Sequence, residues 1–386
     1  MTPEASYLLL LLKDALSPIE DFPPLPEELL PALFEFSSAQ HLAHIASEQL
    51  YQHRLLENAP KWKRKFELNQ QILLTQDIRM DCDAANLYAI CEAEQIDYMP
   101  LKGAVLKSLY PREHMRTGSD IDVLFRREDI DRLVEVLPRS GYTVGEQSSH
   151  EVEVTSPAGA TIEAHFCLFE YDKEISSALE KVWDTAVLKE GTGHHYLMTP
   201  ENFYFYHIAH LFKHFMFGGY GIRAFLDLYL MNLKMPADQG KLLGLMDQCG
   251  LKTFYLTCLK LSQVWFGDET HDEATELMQN FILSAGIFGK YENYIAVRQS
   301  QTSSRFAASL SRLFLKREVL ENQYPNLRKH PWLLPFYRVK RWSEIGLSGG
   351  LSRFKSWQQS NRDSNPEAVD QTKVMLEKLD LLNKKI

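Results

Sequence analysis

Asp120 and Asp122 stand one residue apart in "GSDIDVLF". On a strand, residues i and i+2 project from one face. The two carboxylates would then point together while Ile121 and Val123 point into a core. Paired carboxylates repel unless a cation lies between them. Mg²⁺ suits such a pair, because it takes oxygen ligands and is usually held by one or two carboxylates together with substrate phosphates. A strand end whose acids simply face water has the same spacing, so the neighbouring residues decide.

Downstream, "TIEAHF" repeats the i, i+2 spacing with Glu163 and His165. A third carboxylate on a nearby strand is what two-metal phosphoryl transfer requires, to clamp the reacting oxygens and help deprotonate a nucleophile. Upstream, Lys102-Gly103 falls where the β-prone "IDYMPL" meets the helical "KGAVLKSLY". Glycine there lets a phosphate approach backbone N–H groups, a helix N-terminus favours an anion, and Lys102 adds positive charge. Arg116 is placed either to steady a phosphate or to lock the aspartate strand through an ion pair.

A second constellation lies in "YHIAHLFKHFMFGGYGIRAFLDL", where His207, His210 and His214 follow the spacing i, i+3, i+7 and share a helical face. Imidazoles so placed can ligate a metal, which keeps a metal-dependent phosphohydrolase as an alternative. The stretch has neither HExxH nor a His-Asp pair. The competing reading is a helix packed on the catalytic lobe, with its histidines and Lys213 lining a cleft. Gly218, Gly219 and Gly221 predict a flexible turn after it.

These residues need elements to hold them. Residues 1–92 read as helical, with apolar positions at helical spacing in "EELLPALFEFSSAQHLAHIASEQLYQ" and "FELNQQILLTQDIRMDCDAANLYAICEAE". Residues 93–170 read as a small α/β unit. It comprises a short strand near 96–101, a helix from Gly103, the strand "IDVLF", a helix in "REDIDRLVEVLPRSGY" closed by Gly141, and a hairpin around "SPAG". Helices return over 171–300, at 174–183, 200–235, 238–266 and 271–296. Residues 301–386 form a basic, aromatic tail region, and its last ~20 residues predict a short helix with frayed ends. The fold class is therefore α+β: a small mixed sheet flanked by helical regions.

The chain has 386 residues, 45% hydrophobic and 24% charged, which fits a soluble globular protein rather than a disordered one. Five scattered cysteines without a CxxC pair suit a reducing cytoplasm. The apolar run near the start follows Glu4 rather than a basic segment, so no signal peptide is read. No run approaches the ~20 residues of a spanning helix. A formal charge of −9 argues against broad nucleic-acid binding. Yet 305–357 holds eleven Lys/Arg against three Asp/Glu, interleaved with Trp332, Phe336, Tyr337, Trp342, Phe354 and Trp357. That stretch is expected to wrap the acidic body, lie on an anionic membrane surface, or stack on nucleic-acid bases.

"LKGAVLKSLYPREHMRTGSDIDVLF" with "IEAHF" resembles a bacterial nucleotidyltransferase family of the DNA polymerase beta-like superfamily. The resemblance covers about 75 residues of core and extends loosely into the histidine helix and "HPWLLPFYRVKRW". It implies transfer of a nucleoside monophosphate from an NTP such as ATP to an unidentified acceptor hydroxyl, releasing pyrophosphate. It further implies one or two Mg²⁺ on Asp120, Asp122 and Glu163, with Lys102, Gly103, Arg116, Ser119 and His165 binding nucleotide. Two departures stand out. The superfamily's Gly-Ser turn is Lys-Gly here, without the hydroxyl, and the third carboxylate is glutamate rather than aspartate. A toxin-type tRNA-modifying enzyme and a catalytically silent nucleotide-binding protein remain alternatives.

Overall fold

The computed structural model describes residues 1–284, 290–302, 317, 320, 324, 326–347 and 365–384. At its centre is a five-stranded mixed sheet. The strands are β1 (Tyr98–Pro100), β2 (Ile121–Phe125), β3 (Thr143–Gln147), β4 (Glu151–Thr155) and β5 (Thr161–His165). Their order is β1-β2-β5-β4-β3. Only β2 and β5 run parallel; the other neighbours are antiparallel. The β4–β5 turn closes through Gly159 N–H to the Ser156 carbonyl. The Ser156 hydroxyl ties that turn to Asp83 at 2.7 Å.

Alternation gives the sheet two unlike faces. Ile121, Val123, Phe125, Val152, Val154, Ile162 and Ala164 point to one side. There they pack on Met80, Leu87 and Cys91 of α4 (Pro60–Ala93) and on Ile130 and Leu133 of α6 (Ile130–Val136). α4 has 34 residues with no glycine and no proline after its first position. At 1.5 Å per residue it spans about 51 Å. That length carries it from the back of the sheet to a second core, where Phe66 is buried.

The second core joins helices from distant parts of the chain: α1 (Pro3–Leu16), α2 (Leu30–Ala39), α3 (Ala43–Gln52), α8 (Pro200–Met216), α9 (Ile222–Lys234), α10 (Gln239–Gln248), α11 (Lys252–Phe266) and α12 (Glu273–Leu283). Phe212, Phe215, Phe225 and Phe254 are fully buried there. Truncating one such ring to alanine costs about 3–5 kcal/mol. Met99 and Leu124 extend this core onto the other face of the sheet, so the polar residues beside them lie where sheet and helices meet.

The helix expected over 200–235 is two helices, because Gly218 and Gly219 adopt φ of 114° and 121°. A Cβ at Gly218 would lie 2.5 Å from the Lys290 carbonyl oxygen. This turn is a packed one that needs glycine, and Gly219 N–H caps α8 through the His214 carbonyl. Strand β3 and the small pair Val187–Leu188 with Tyr196–Leu197 carry no clear alternation in the sequence. The last helix, Pro366–Lys378, is pinned at its C-terminal end by buried Leu379 and Leu381 instead of fraying. Most of 305–357 lies outside the described residues. Within it, helix Leu334–Leu347 follows an exposed Trp332 and exposes Phe336. All five cysteines are unpaired. Among the described residues no helix is long and apolar enough to cross a membrane.

Candidate active site

The polar face of the sheet is set by strand register. Asp122 lies beside Glu163 in the parallel β2–β5 pair, and Glu151 lies opposite His165 across the β4–β5 hairpin. The His165 Nε2 is 3.0 Å from Asp122 Oδ1 and 3.2 Å from Glu163 Oε2. Its Nδ1 is 3.0 Å from Glu151 Oε2. Lys102 Nζ donates to Asp122 Oδ1 at 2.6 Å. Among the described residues, Asp122, Glu163 and His165 are the group whose ligand atoms all lie within 4.8 Å of one another, close enough to share one metal ion.

Charge holds this cluster together despite burial. Desolvation alone would raise the Asp122 pKa, but the Lys102 ammonium and His165 keep its carboxyl well below the usual range. Desolvation would likewise lower His165, yet hydrogen bonds to Asp122, Glu151 and Glu163 raise it to about 10. Burial opposes the charge on Lys102 as well; Asp122 reverses that and lifts the lysine above its normal value. Lys102 and His165 together offset two of the three carboxylate charges of Asp122, Glu151 and Glu163.

Lys102 reaches Asp122 from a strained turn. Its φ of 40° and ψ of −115° are unusual for a residue with a Cβ, a geometry that costs about 1–3 kcal/mol and collects at functional sites. Leu101 N–H continues the β1–β2 ladder to the Asp122 carbonyl at 3.0 Å. The helix after Lys102, α5 (Gly103–Leu106), is a single turn of four residues. It is much shorter than a helix that would cradle phosphate at its N-terminus.

Asp120 precedes β2, is half-buried, and accepts a hydrogen bond from the exposed Ser119 hydroxyl at 3.2 Å. The loop leading to it is held from three sides. Arg116 donates from Nε to both oxygens of buried Asp227 on α9, at 2.8 and 3.2 Å. The Tyr110 hydroxyl donates to the same carboxylate at 2.7 Å. Gly118 N–H reaches Asp77 of α4 at 3.3 Å, and a Cβ at Gly118 would crowd Met80 at 3.1 Å. Arg116 thus couples the aspartate loop to the helices, as the ion-pair reading of its sequence position implies.

A cavity of about 320 Å³ lies between this face and the start of the second core. Asp120, Asp122, Glu151, Glu163 and His165 line one wall. His210, Lys213 and His214 of α8, with Tyr220 and Arg223, line the opposite wall. His210 and His214 meet Nε2 to Nε2 at 3.2 Å. His207 turns away, its Nε2 bonded to the Ala224 carbonyl at 3.1 Å, so the three histidines do not converge. Burial lowers all three below their ordinary value, His214 to about 4. A second cavity of about 470 Å³, lined by Asp172, Lys252, Asp380 and Lys384, gathers no such cluster.

Every residue singled out in the α/β unit lies on or beside one cavity: Lys102, Gly103, Arg116, Ser119, Asp120, Asp122, Glu163 and His165. Sequence reasoning missed Glu151, Tyr110 and Arg223. Glu151 was within reach, since counting outward from the Ser156–Ala160 turn places it opposite His165. Tyr110 stood in the motif as the tyrosine of Tyr-Pro but without a role, and Arg223 carried no local signal.

A small mixed sheet thus gathers carboxylates and an imidazole on one face, entered by a lysine-bearing turn. Residues 27–267 match the family model described as an uncharacterised nucleotidyltransferase, and the chain belongs to that family. The match runs well beyond the sheet, so the helices that form the far wall of the cavity are part of the family unit. No curated protein and no solved structure matches the chain.

Proposed function

We propose that the protein transfers a nucleoside monophosphate from an NTP to an acceptor hydroxyl in a Mg²⁺-dependent reaction, with the cavity between β2–β5–β4 and α8 as its active site. The observation that supports this most is the Asp122–Glu163–His165 cluster, whose donor atoms fit one divalent ion. Hard carboxylate oxygens suit Mg²⁺, and a single imidazole also admits Mn²⁺. Asp122, Glu163 and His165 would hold the ion, with half-buried Asp120 beside them on the same wall. A bound divalent ion supplies charge stabilisation for the phosphates and orients the reacting oxygens.

The remaining roles belong to the chain. Glu151 fixes the His165 ring through Nδ1, which aims Nε2 at the two carboxylates. Glu163 is the more accessible acid, with its side chain 29% exposed against 3% for Asp122. It is therefore the group best placed to take the acceptor proton. In the reaction a bond forms between acceptor oxygen and the α-phosphorus. The bond from that phosphorus to the bridging oxygen breaks, and pyrophosphate leaves with its electron pair. The acceptor is a small molecule, a protein or an RNA; fold alone does not choose among them.

The test is calorimetric titration of each NTP with and without Mg²⁺, using wild type and Asp120→Asn/Asp122→Asn. Mg²⁺-dependent binding that the double variant loses supports the reading. Folded wild-type protein that binds no NTP refutes it. Mg²⁺-independent binding retained by the variant favours a silent nucleotide-binding protein, in which Lys102 and His165 permanently occupy Asp122.

A further inference from the structure

The cavity is electrically divided. One wall carries the acids, and the other carries Lys213 and Arg223 beside the His210–His214 pair. Among the described residues, neither Lys213 nor Arg223 has a carboxylate within ion-pair distance. The Arg223 guanidinium donates to the Thr117 carbonyl at 3.0 Å, and Lys213 rests 5.3 Å from the Tyr171 ring centre. Two half-buried cations with no carboxylate at ion-pair distance are poorly compensated, and an anion in the cleft between them would improve that.

The turn expected to receive phosphate is poorly equipped for it. It lacks a hydroxyl side chain, its helix is four residues long, and its lysine is committed to Asp122 at 2.6 Å. We propose that Lys213 and Arg223, with His210 and His214, form a polyphosphate subsite on the α8–α9 wall that holds the outer phosphates of the NTP. This rests on the nucleotidyl-transfer reading for the identity of the ligand, but the subsite itself is defined by the charge layout of the cleft. Burial lowers the Lys213 pKa despite the attraction of Glu170, Glu151 and Glu163, and a bound phosphate would oppose that shift. The Gly218–Gly219 turn places Tyr220 and Arg223 next to the end of α8, so the subsite is built from one helix–turn–helix.

The experiment uses the full chain and two probes, inorganic tripolyphosphate in metal-free buffer and Mg²⁺-NTP, both by calorimetry. Wild type should bind tripolyphosphate. Lys213→Ala should weaken it about tenfold to a hundredfold, the loss of one charge-assisted contact. Lys213→Arg should restore most of the affinity, and Asp122→Asn should not reduce it. Thermal melts of each variant check that folding is intact. No tripolyphosphate binding, or binding indifferent to Lys213→Ala and reduced by Asp122→Asn, overturns the subsite. If tripolyphosphate binds through Lys213 but no NTP binds, the subsite stands and the nucleotide reading falls. If NTP binds equally well to Lys213→Ala, the subsite falls and the nucleotide reading stands.

Discussion

Asp227→Ala probes how the active-site loop is held. The Arg116 and Asp227 side chains are 7% and 3% exposed, and they meet at 2.8 Å. Arg116 donates twice to this carboxylate and Tyr110 once. Removing the carboxylate leaves a guanidinium and a phenol buried without their acceptor. Breaking a buried pair from one side costs about 3–5 kcal/mol, and the stranded Tyr110 hydroxyl adds about 1 kcal/mol or more. The expected loss is therefore about 4–6 kcal/mol, a large share of the 5–15 kcal/mol typical of a folded domain. Replacing both partners, Arg116→Met with Asp227→Leu, removes both charges and should recover most of that loss. Urea unfolding of the wild type, Arg116→Met, Asp227→Leu and the double variant measures the cycle. A single-variant loss below about 1 kcal/mol, or a double variant less stable than either single one, would refute the claim that this pair is a buried clamp.

Three further outcomes are expected. His165 is raised from 6.5 to about 10 in the folded, metal-free protein, so the stability it contributes is complete below pH 6.5 and is lost as pH rises toward 10. Denaturant midpoints should fall over that window in wild type and fall less in His165→Phe. Lys102→Met removes the ammonium that competes for Asp122 and should tighten Mn²⁺ binding on the order of tenfold, the equivalent of one unit of pKa shift. Electron paramagnetic resonance titration reads that change, and unchanged Mn²⁺ affinity would separate Lys102 from the metal site. Gly218→Ala forces a Cβ to within 2.5 Å of the Lys290 carbonyl oxygen at a φ of 114°. It should destabilise the protein by about 1–3 kcal/mol or more in thermal unfolding.

What could be read from the sequence follows from the range of each signal. The sheet was legible because "IDVLF" and "TIEAHF" alternate over several residues and "SPAG" marks the turn between β4 and β5. The same period of two paired Glu163 with His165 correctly, but it also put Asp120 on the strand with Asp122, whereas β2 begins at Ile121 and it is strand register that brings Asp122 beside Glu163. Residue types and local spacing could not show that Lys102 turns onto Asp122, because that contact depends on a strained backbone of a kind expected of glycine. They could not pair Arg116 with Asp227, 111 positions away. Helical spacing grouped His207 with His210 and His214, but a packed neighbour, the Ala224 carbonyl, takes His207 out of the cavity. β3 was hidden because four of its five residues are exposed and polar or small, leaving no hydrophobic alternation to detect.

The most direct test of the central claim follows the label. The protein is incubated with Mg²⁺, a cell extract as the acceptor source, and NTP labelled in either the α- or the γ-phosphate. Asp122→Asn serves as the control. Nucleotidyl transfer predicts that α-label becomes attached to an acceptor while γ-label appears only in pyrophosphate, and that the variant transfers neither. Attachment of γ-label, or α-label transferred equally by Asp122→Asn, would contradict the assignment of nucleotidyl transfer to this cavity.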